Sequence, residues 1–166
     1  MPAILAAHGA PYVATASIAY PADLKQKVEK AINTPGPSYV QVHAPCCTGW
    51  GFEGEQTIAI AKLAIETGLW ANFEMVDGKV TRVKKVVRKP VEEYLKTQKR
   101  FRHLFKPKRQ DAEIAQIQVI ADDVAQQVGP DRIEDQPGGV HRGEVAIALL
   151  PLRPGVFLRP GPWGEP

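Results

Sequence analysis

The fold is decided by one run of sequence: Tyr12-Val-Ala-Thr-Ala16, Pro21-Ala-Asp-Leu-Lys-Gln-Lys-Val-Glu-Lys-Ala-Ile32, Asn33-Thr-Pro-Gly-Pro37, Ser38-Tyr-Val-Gln-Val-His-Ala44. The first segment is short and apolar and predicts a buried strand. Pro21 suits the first position of a helix, and Asp23 lies in the first turn, where the helix dipole favours an acid. Leu24, Val28, Ala31 and Ile32 recur at helical spacing and predict the face turned toward the core. Two prolines around Gly36 end that helix. Ser38 to Ala44 predicts a second strand, with Tyr39, Gln41 and His43 alternating with Val40, Val42 and Ala44. Strand, helix, strand predicts a right-handed, parallel βαβ unit.

Working outward, Pro2-Ala-Ile-Leu-Ala-Ala-His-Gly9 predicts the last turns of a helix stopped by its glycine. Beyond the second strand, Pro45-Cys46-Cys47-Thr48-Gly49-Trp50-Gly51-Phe52 predicts a turn that carries both cysteines of the chain. Glu55 to Leu69 predicts a helix with Ile58, Ala61, Leu63, Ile65 and Leu69 apolar. Phe73-Glu-Met-Val76, Asp77-Gly78 and Lys79-Val-Thr-Arg-Val83 predict a hairpin. Pro90 to about Phe105 predicts a basic helix. Asp111 predicts the cap of a last helix carrying Ile114, Ile117, Ile120 and Val124. From Gly129 onward seven Pro and seven Gly fall within 38 residues, which predicts a tail without a packed core. In that tail only Glu144 to Leu150 reads as a strand.

Composition excludes several classes. The chain has 166 residues, room for one domain with a core. No run of 18 apolar residues predicts a membrane span, and the N-terminus does not read as a secretory signal. Two adjacent cysteines and no others make a poor disulfide framework, because a bond between neighbours is strained and staples nothing. A reducing cytoplasm is therefore the expected compartment. Net charge is only +3, yet thirteen Lys and Arg fall between Lys79 and Arg109 against Glu92 and Glu93. Such a belt suits phosphate, an acidic partner or a subunit contact.

Cys46 and Cys47 sit at a strand exit, where ligands bind in α/β proteins. Three readings are open from the residues alone: a buried apolar thiol, a vicinal redox pair, and a metal ligand. Tetrahedral metal centres and iron–sulfur clusters want about four ligands. A metal reading therefore requires partners from outside the chain. His43 reads as a packing histidine, His8 as structural and His103 as solvated. Trp50 and Phe52 read as plugs against the sheet, with Gly49 and Gly51 allowing close approach of a bulky group or a cofactor. No Ser-His-Asp order, GxGxxG, P-loop or HExxH occurs.

Three segments, in order and with matching spacing, carry a family resemblance: Pro2 to Ser17; Gly36 to Cys46, continuing to Thr48-Gly-Trp50; and Glu66-Thr-Gly-Leu-Trp70 with Arg88-Lys-Pro-Val-Glu-Glu-Tyr-Leu95. Over roughly residues 1–125 the chain resembles the C-terminal half of the β subunit of pyruvate:ferredoxin oxidoreductase (pyruvate synthase) and its 2-oxoacid relatives. The resemblance implies part of a thiamine-diphosphate-binding α/β fold, a parallel sheet flanked by helices. Residues 1–70 would form the C-terminal half of that domain, 71–128 a hairpin with a basic helical extension, and 129–166 a disordered tail. It implies oxidative decarboxylation of a 2-oxoacid with coenzyme A, giving acyl-CoA, CO2 and reduced ferredoxin. The implied cofactors are thiamine diphosphate, Mg²⁺ and a 4Fe-4S cluster.

The resemblance assigns Cys46 as the fourth cluster ligand and Thr48, Gly49 and Trp50 as cofactor-binding. It assigns no catalytic side chain. Cys47 stands where the family often has proline and reads as a bystander. The family's Gly-Asp-Gly diphosphate segment, its downstream Asn and its other cluster cysteines would all lie before Met1. The expectation is thus that Met1 matches an internal methionine of a longer subunit, in a truncated, mis-started or split gene, and that the chain alone is inactive. A shifted reading frame is the expected origin of the tail. Expected partners are the other subunits, ferredoxin, 2-oxoacid and coenzyme A, with no membrane or nucleic acid. The competing readings are a non-enzymatic basic module that binds RNA or protein on an orphaned half-domain, and a dithiol redox protein.

Overall fold

A computed structural model describes residues 1–128; the tail from Gly129, including the strand expected at Glu144 to Leu150, lies outside the described residues. The elements run α1 (Pro2–Ala7), β1 (Tyr12–Ser17), α2 (Pro21–Asn33), β2 (Ser38–His43), α3 (Cys47–Trp50), a 3-10 turn (Gly54–Gln56), α4 (Thr57–Glu66), β3 (Phe73–Val76), β4 (Lys79–Val83), α5 (Val91–Lys96), a 3-10 segment (Lys99–Leu104) and α6 (Asp111–Val128). The architecture is α/β, as the sequence predicts, but the four-stranded sheet is mixed. Its order is β2-β1-β3-β4. β1 and β2 pair in parallel from Tyr12 with Ser38 to Ser17 with His43. The hairpin joins the same sheet, because β3 pairs antiparallel with β1. Asp77 and Gly78 both take positive φ, which suits the twist of a two-residue hairpin.

β1 is central and buried at all six positions. On one side of the sheet, Val13, Phe73 and Met75 pack with Ala6 and Ala10 of the α1 region. A second core is built from helical segments and Phe52 of the loop after α3: Phe52, Ile60, Ala64, Val91, Tyr94, Leu95, Leu104, Ile114 and Ala121. The chain passes from the sheet core to the helical core through the cysteine turn.

The inward face of α2 differs from the apolar one expected. Lys27 is its buried residue, while Val28 and Ile32 are exposed. The reason is what the neighbouring segments present. The Lys27 ammonium donates to the Thr15 carbonyl at 2.8 Å, to Asp23 Oδ2 at 2.8 Å and to Asn72 Oδ1. Three donors meet three acceptors, so the buried cation is satisfied. Glu74 is buried on β3 and is met by Lys30 at 2.8 Å and Arg82 at 3.2 Å. Burial alone would raise the Glu74 carboxyl. The bond to Lys30 and its charge, with Tyr12 and Arg82, outweigh burial and hold it below the ordinary carboxylate value. Asp23, Lys27 and Lys30 are spaced i, i+4 and i+7, the same helical period as the apolar set.

Three further expectations shift. The helix after the cysteine turn is a 3-10 turn followed by α4, and its buried residues are Ile60, Ala61, Ala64 and Ile65, leaving Ile58 exposed. The single basic helix from Pro90 is broken: Gln98 takes an extended backbone and its buried amide donates to the Tyr94 carbonyl at 3.0 Å. Asp111 is the first residue of α6 rather than its cap, and Arg109 engages its carboxylate. On α6 the buried residues are Ile114 and Ala121, and Ile120 is exposed.

Replacing Lys27 with methionine takes the donor from Asn72 Oδ1 and the Thr15 carbonyl, and leaves the Asp23 carboxylate with the Asn72 amide at 3.1 Å and Arg82 at 3.8 Å but without its nearest cation. Urea denaturation is expected to show a loss of about 3–5 kcal/mol. Adding Asp23→Asn is expected to recover part of it by removing a carboxylate that has lost its nearest counter-charge.

Candidate functional site

β2 ends at His43, and Pro45 is buried behind it. The chain then turns through α3, a single helical turn. Cys46 caps that turn with its sulfur, which accepts the Gly49 N–H at 3.3 Å. A Cβ at Gly49 would press on Cys46 Sγ at 3.3 Å, so the glycine eases the close approach. Both thiols are free; Cys46 is exposed and Cys47 half-buried, with its sulfur 3.9 Å from Thr48 Oγ1. Thr48 and Gly49 are exposed beside Cys46. The turn exits through Gly51 at φ 70°, where a Cβ would lie 2.7 Å from Lys99 Cβ. The bulky group that this glycine admits is thus a lysine stem of the chain itself.

The rings around the turn form one assembly. His43 lies 5.1 Å from Trp70 and 5.9 Å from Trp50, and Trp50 lies 6.3 Å from Phe52, centroid to centroid. The Trp70 indole N–H donates to the Ala16 carbonyl of β1 at 3.1 Å. On Trp50 sits the Arg100 guanidinium, 3.8 Å from the ring centroid. Burial first, and then the charge of Arg100, lower the His43 imidazole to about 4. His43 is therefore neutral at ordinary pH and packs as the sequence suggests; its Nδ1 is buried without a protein partner among the described residues. His8 and His103 are exposed and hydrogen-bonded within their own elements.

Five of the thirteen cations of the basic belt are ion-paired within the fold. Arg82 pairs with Glu74 and Asp23, Arg88 with Asp122, Lys89 with Glu66, Lys96 with Glu92, and Arg109 with Glu92 and Asp111. Lys84 sits 3.9 Å from the Tyr20 ring centroid. Among the described residues Lys99, Arg102 and Lys106 have no acidic partner, and they line a recess with Phe52, Leu95 and Phe105. No group of three or more His, Cys, Asp or Glu side chains among the described residues is placed to hold a metal ion. No helix among them is long and apolar enough to cross a membrane.

The structure thus brings Cys46, Thr48, Gly49 and Trp50 together in one turn. Arg100, Tyr94, Gln98 and Trp70 were not singled out by sequence reasoning as parts of this assembly. Arg100 is one cation among thirteen in the belt, and its stacking depends on the break at Gln98, which no local signal marks.

No protein-family model matches the chain. Curated relatives do. The chain is 56% identical over 123 residues to pyruvate synthase subunit PorB of Methanosarcina barkeri, a match spanning 74% of this chain and 42% of the relative. It is 52% identical over 130 residues to pyruvate synthase subunit PorB of Methanothermobacter thermautotrophicus, spanning 77% of this chain and 43% of the relative. To ketoisovalerate oxidoreductase subunit VorB of Pyrococcus abyssi the identity is 45% over 121 residues, 70% of this chain and 38% of that one. The class is therefore that of oxidoreductase subunits. Within it, the chain belongs to the PorB-type β subunits of the 2-oxoacid:ferredoxin oxidoreductases. It spans about two-fifths of the length of the PorB relatives. Nothing in the relatives' names favours a basic RNA-binding module or a dithiol redox protein.

Two outcomes follow for the site. Gly51→Ala meets both a left-handed backbone and the Lys99 stem, whereas Gly78→Ala at φ 76° meets open space. Gly51→Ala is expected to cost more than the roughly 1 kcal/mol of left-handed strain alone, and Gly78→Ala about that, read as paired denaturation midpoints. For His43, the folded imidazole refuses a proton between its ordinary 6.5 and about 4 while the unfolded one accepts it. Stability is expected to fall as pH drops through that window, and His43→Gln is expected to flatten the slope there.

Proposed function

We propose that this chain supplies part of the β subunit of a pyruvate synthase: oxidative decarboxylation of pyruvate with coenzyme A to acetyl-CoA and CO2, with the two electrons passed singly to ferredoxin. The observation that supports it is the 56% identity to a pyruvate synthase subunit over 123 residues, a stretch that accounts for most of the described chain. Ketoisovalerate oxidoreductase is named among the relatives too, at 45% identity, so pyruvate is preferred on the higher identity.

The turn fits an iron–sulfur ligand. Cys46 presents an exposed sulfur, an N–H is already aimed at it, and Gly49 leaves the sulfur's near side unobstructed. Cys46 would hold one iron of a 4Fe-4S cluster, with the remaining ligands supplied by polypeptide beyond this chain. The exposed backbone at Thr48 and Gly49 would face the cofactors, and Trp50 would wall the site through its ring. Thiamine diphosphate with Mg²⁺, when bound, supplies the electron sink for loss of CO2. This chain's own part is to fix the ligand sulfur, donate to it from Gly49, and exclude water with the His43, Trp50 and Trp70 rings. The open β2 edge and the outward Val28 and Ile32 face of α2 suit further subunit mass, consistent with a chain that spans two-fifths of its relatives. The work is assigned to the cytoplasm, where ferredoxin and coenzyme A meet.

Co-expression with the partner subunits and the missing part of a PorB subunit tests this. Cys46→Ser is expected to lose iron and the broad visible absorbance near the cluster, while Cys47→Ser keeps both. Full iron content and pyruvate-dependent ferredoxin reduction in Cys46→Ser would remove the ligand assignment.

A further inference from the structure

The cysteine turn is fastened from one side by a single cation. Arg100 stacks on Trp50 of α3 at 3.8 Å and reaches Phe101 at 4.5 Å. Its guanidinium is aimed by two acceptors: Gln98 Oε1 takes the Nε–H at 2.8 Å, and the Tyr94 hydroxyl takes an Nη2–H at 3.1 Å. Both are anchored in the helical core, since Tyr94 and Gln98 are buried and the Gln98 amide donates to the Tyr94 carbonyl. The backbone adds a second tie, Lys99 N–H to the Gly51 carbonyl at 3.2 Å. The planar fork is used at its edge for hydrogen bonds and at its face for stacking, a combination an ammonium cannot reproduce. No acid neutralises Arg100 among the described residues, so its charge stands over the turn.

We infer that Arg100 is a positioning residue for the Cys46 turn: it locks α3 against the segment 99–104 and sets a fixed positive charge on the Trp50 ring of the turn that carries the ligand sulfur. This rests on the reading of Cys46 as a cluster ligand for its electrostatic half, and on geometry alone for its mechanical half. A fixed cation stabilises the more negative, reduced state of a neighbouring cluster, so it raises the reduction potential.

The test separates the two. In the 166-residue chain carrying Cys47→Ser, the limiting rate at high pH at which Cys46 reacts with an uncharged disulfide reagent is measured without any cluster, so that loss of the Arg100 charge does not itself set the rate. Arg100→Ala is expected to raise that rate several-fold by freeing the turn, and Arg100→Lys to restore it only in part, since lysine stacks but cannot bridge Gln98 and Tyr94. In the assembled, cluster-loaded complex, a redox titration followed by electron paramagnetic resonance is expected to show a negative shift of the proximal cluster in Arg100→Ala and near-parental potential in Arg100→Lys. Arg102→Ala, which removes an equal charge from the same segment, is the control and is expected to leave both readouts unchanged. Unchanged reactivity and potential in Arg100→Ala overturn the inference, as do equal effects from Arg102→Ala. If Arg100→Ala does not fold, Arg100→Lys decides: thiol reactivity equal to the parent refutes the lock. Cluster retention in Cys46→Ser, by contrast, sinks the ligand reading and leaves the thiol-reactivity arm standing.

Discussion

Everything in the sheet half of the molecule depends on a buried ammonium. Lys27 is 2% exposed, an expensive place for a charge unless every proton is used. Its three acceptors come from β1, from α2 itself and from the segment entering β3. One side chain therefore fixes helix to sheet and closes the distance between two parts of the chain 45 residues apart. The segment it reaches is then sewn to β1 by other bonds: Thr15 Oγ1 to the Ala71 carbonyl, Phe73 N–H to Thr15 Oγ1, and Trp70 to Ala16. Asp23 shows the balance of forces. Burial would raise its carboxyl, but the bonds from Lys27 and Asn72 and the nearby charges win and keep it ionised.

This arrangement explains what was legible in the sequence and what was not. Strand β1, the Pro21 start of α2, β2 and the Asp77-Gly78 hairpin follow from local rules, because proline, glycine and period-2 patterning act over a few residues. The inward face of α2 does not. Two faces of that helix have helical spacing, one apolar and one charged, and the choice between them depends on Glu74 and the Thr15 carbonyl, which local patterning cannot place. The same limit applies to the break at Gln98. Its side-chain bonds to Tyr94 and Arg100 are local, but the Lys99 N–H beside it reaches the Gly51 carbonyl, a long-range tie that local patterning cannot place.

The candidate site was half legible. Two cysteines beside glycines at a strand exit direct attention to residues 46–51, and the turn is there. The sequence could not show that Cys46 caps its own turn through sulfur, or that the space left by Gly51 is filled by Lys99. Nor could it sort the belt. Cations that look alike between Lys79 and Arg109 divide into those paired with acids, such as Arg82 and Arg109, those without an acidic partner among the described residues, such as Lys99 and Arg102, and, within the latter group, Arg100, which neutral acceptors hold in place.

The position of the turn between two cores gives it a mechanical character. His43 belongs to a strand of the sheet, and Phe52 belongs to the helical core, with only α3 between them. Trp50 contacts both sides, through His43 toward the sheet and through Arg100 toward the 3-10 segment. A loop tied at both ends and clamped at its middle loses little conformational entropy when a ligand arrives, because that entropy was given up on folding. For the cluster ligand proposed at Cys46 this matters doubly. Sulfur must be held in place against the pull of a rigid inorganic core, and the electrostatic surroundings must not relax as an electron passes. A turn made of two glycines, with neither clamp, would satisfy the first demand only after binding and the second not at all.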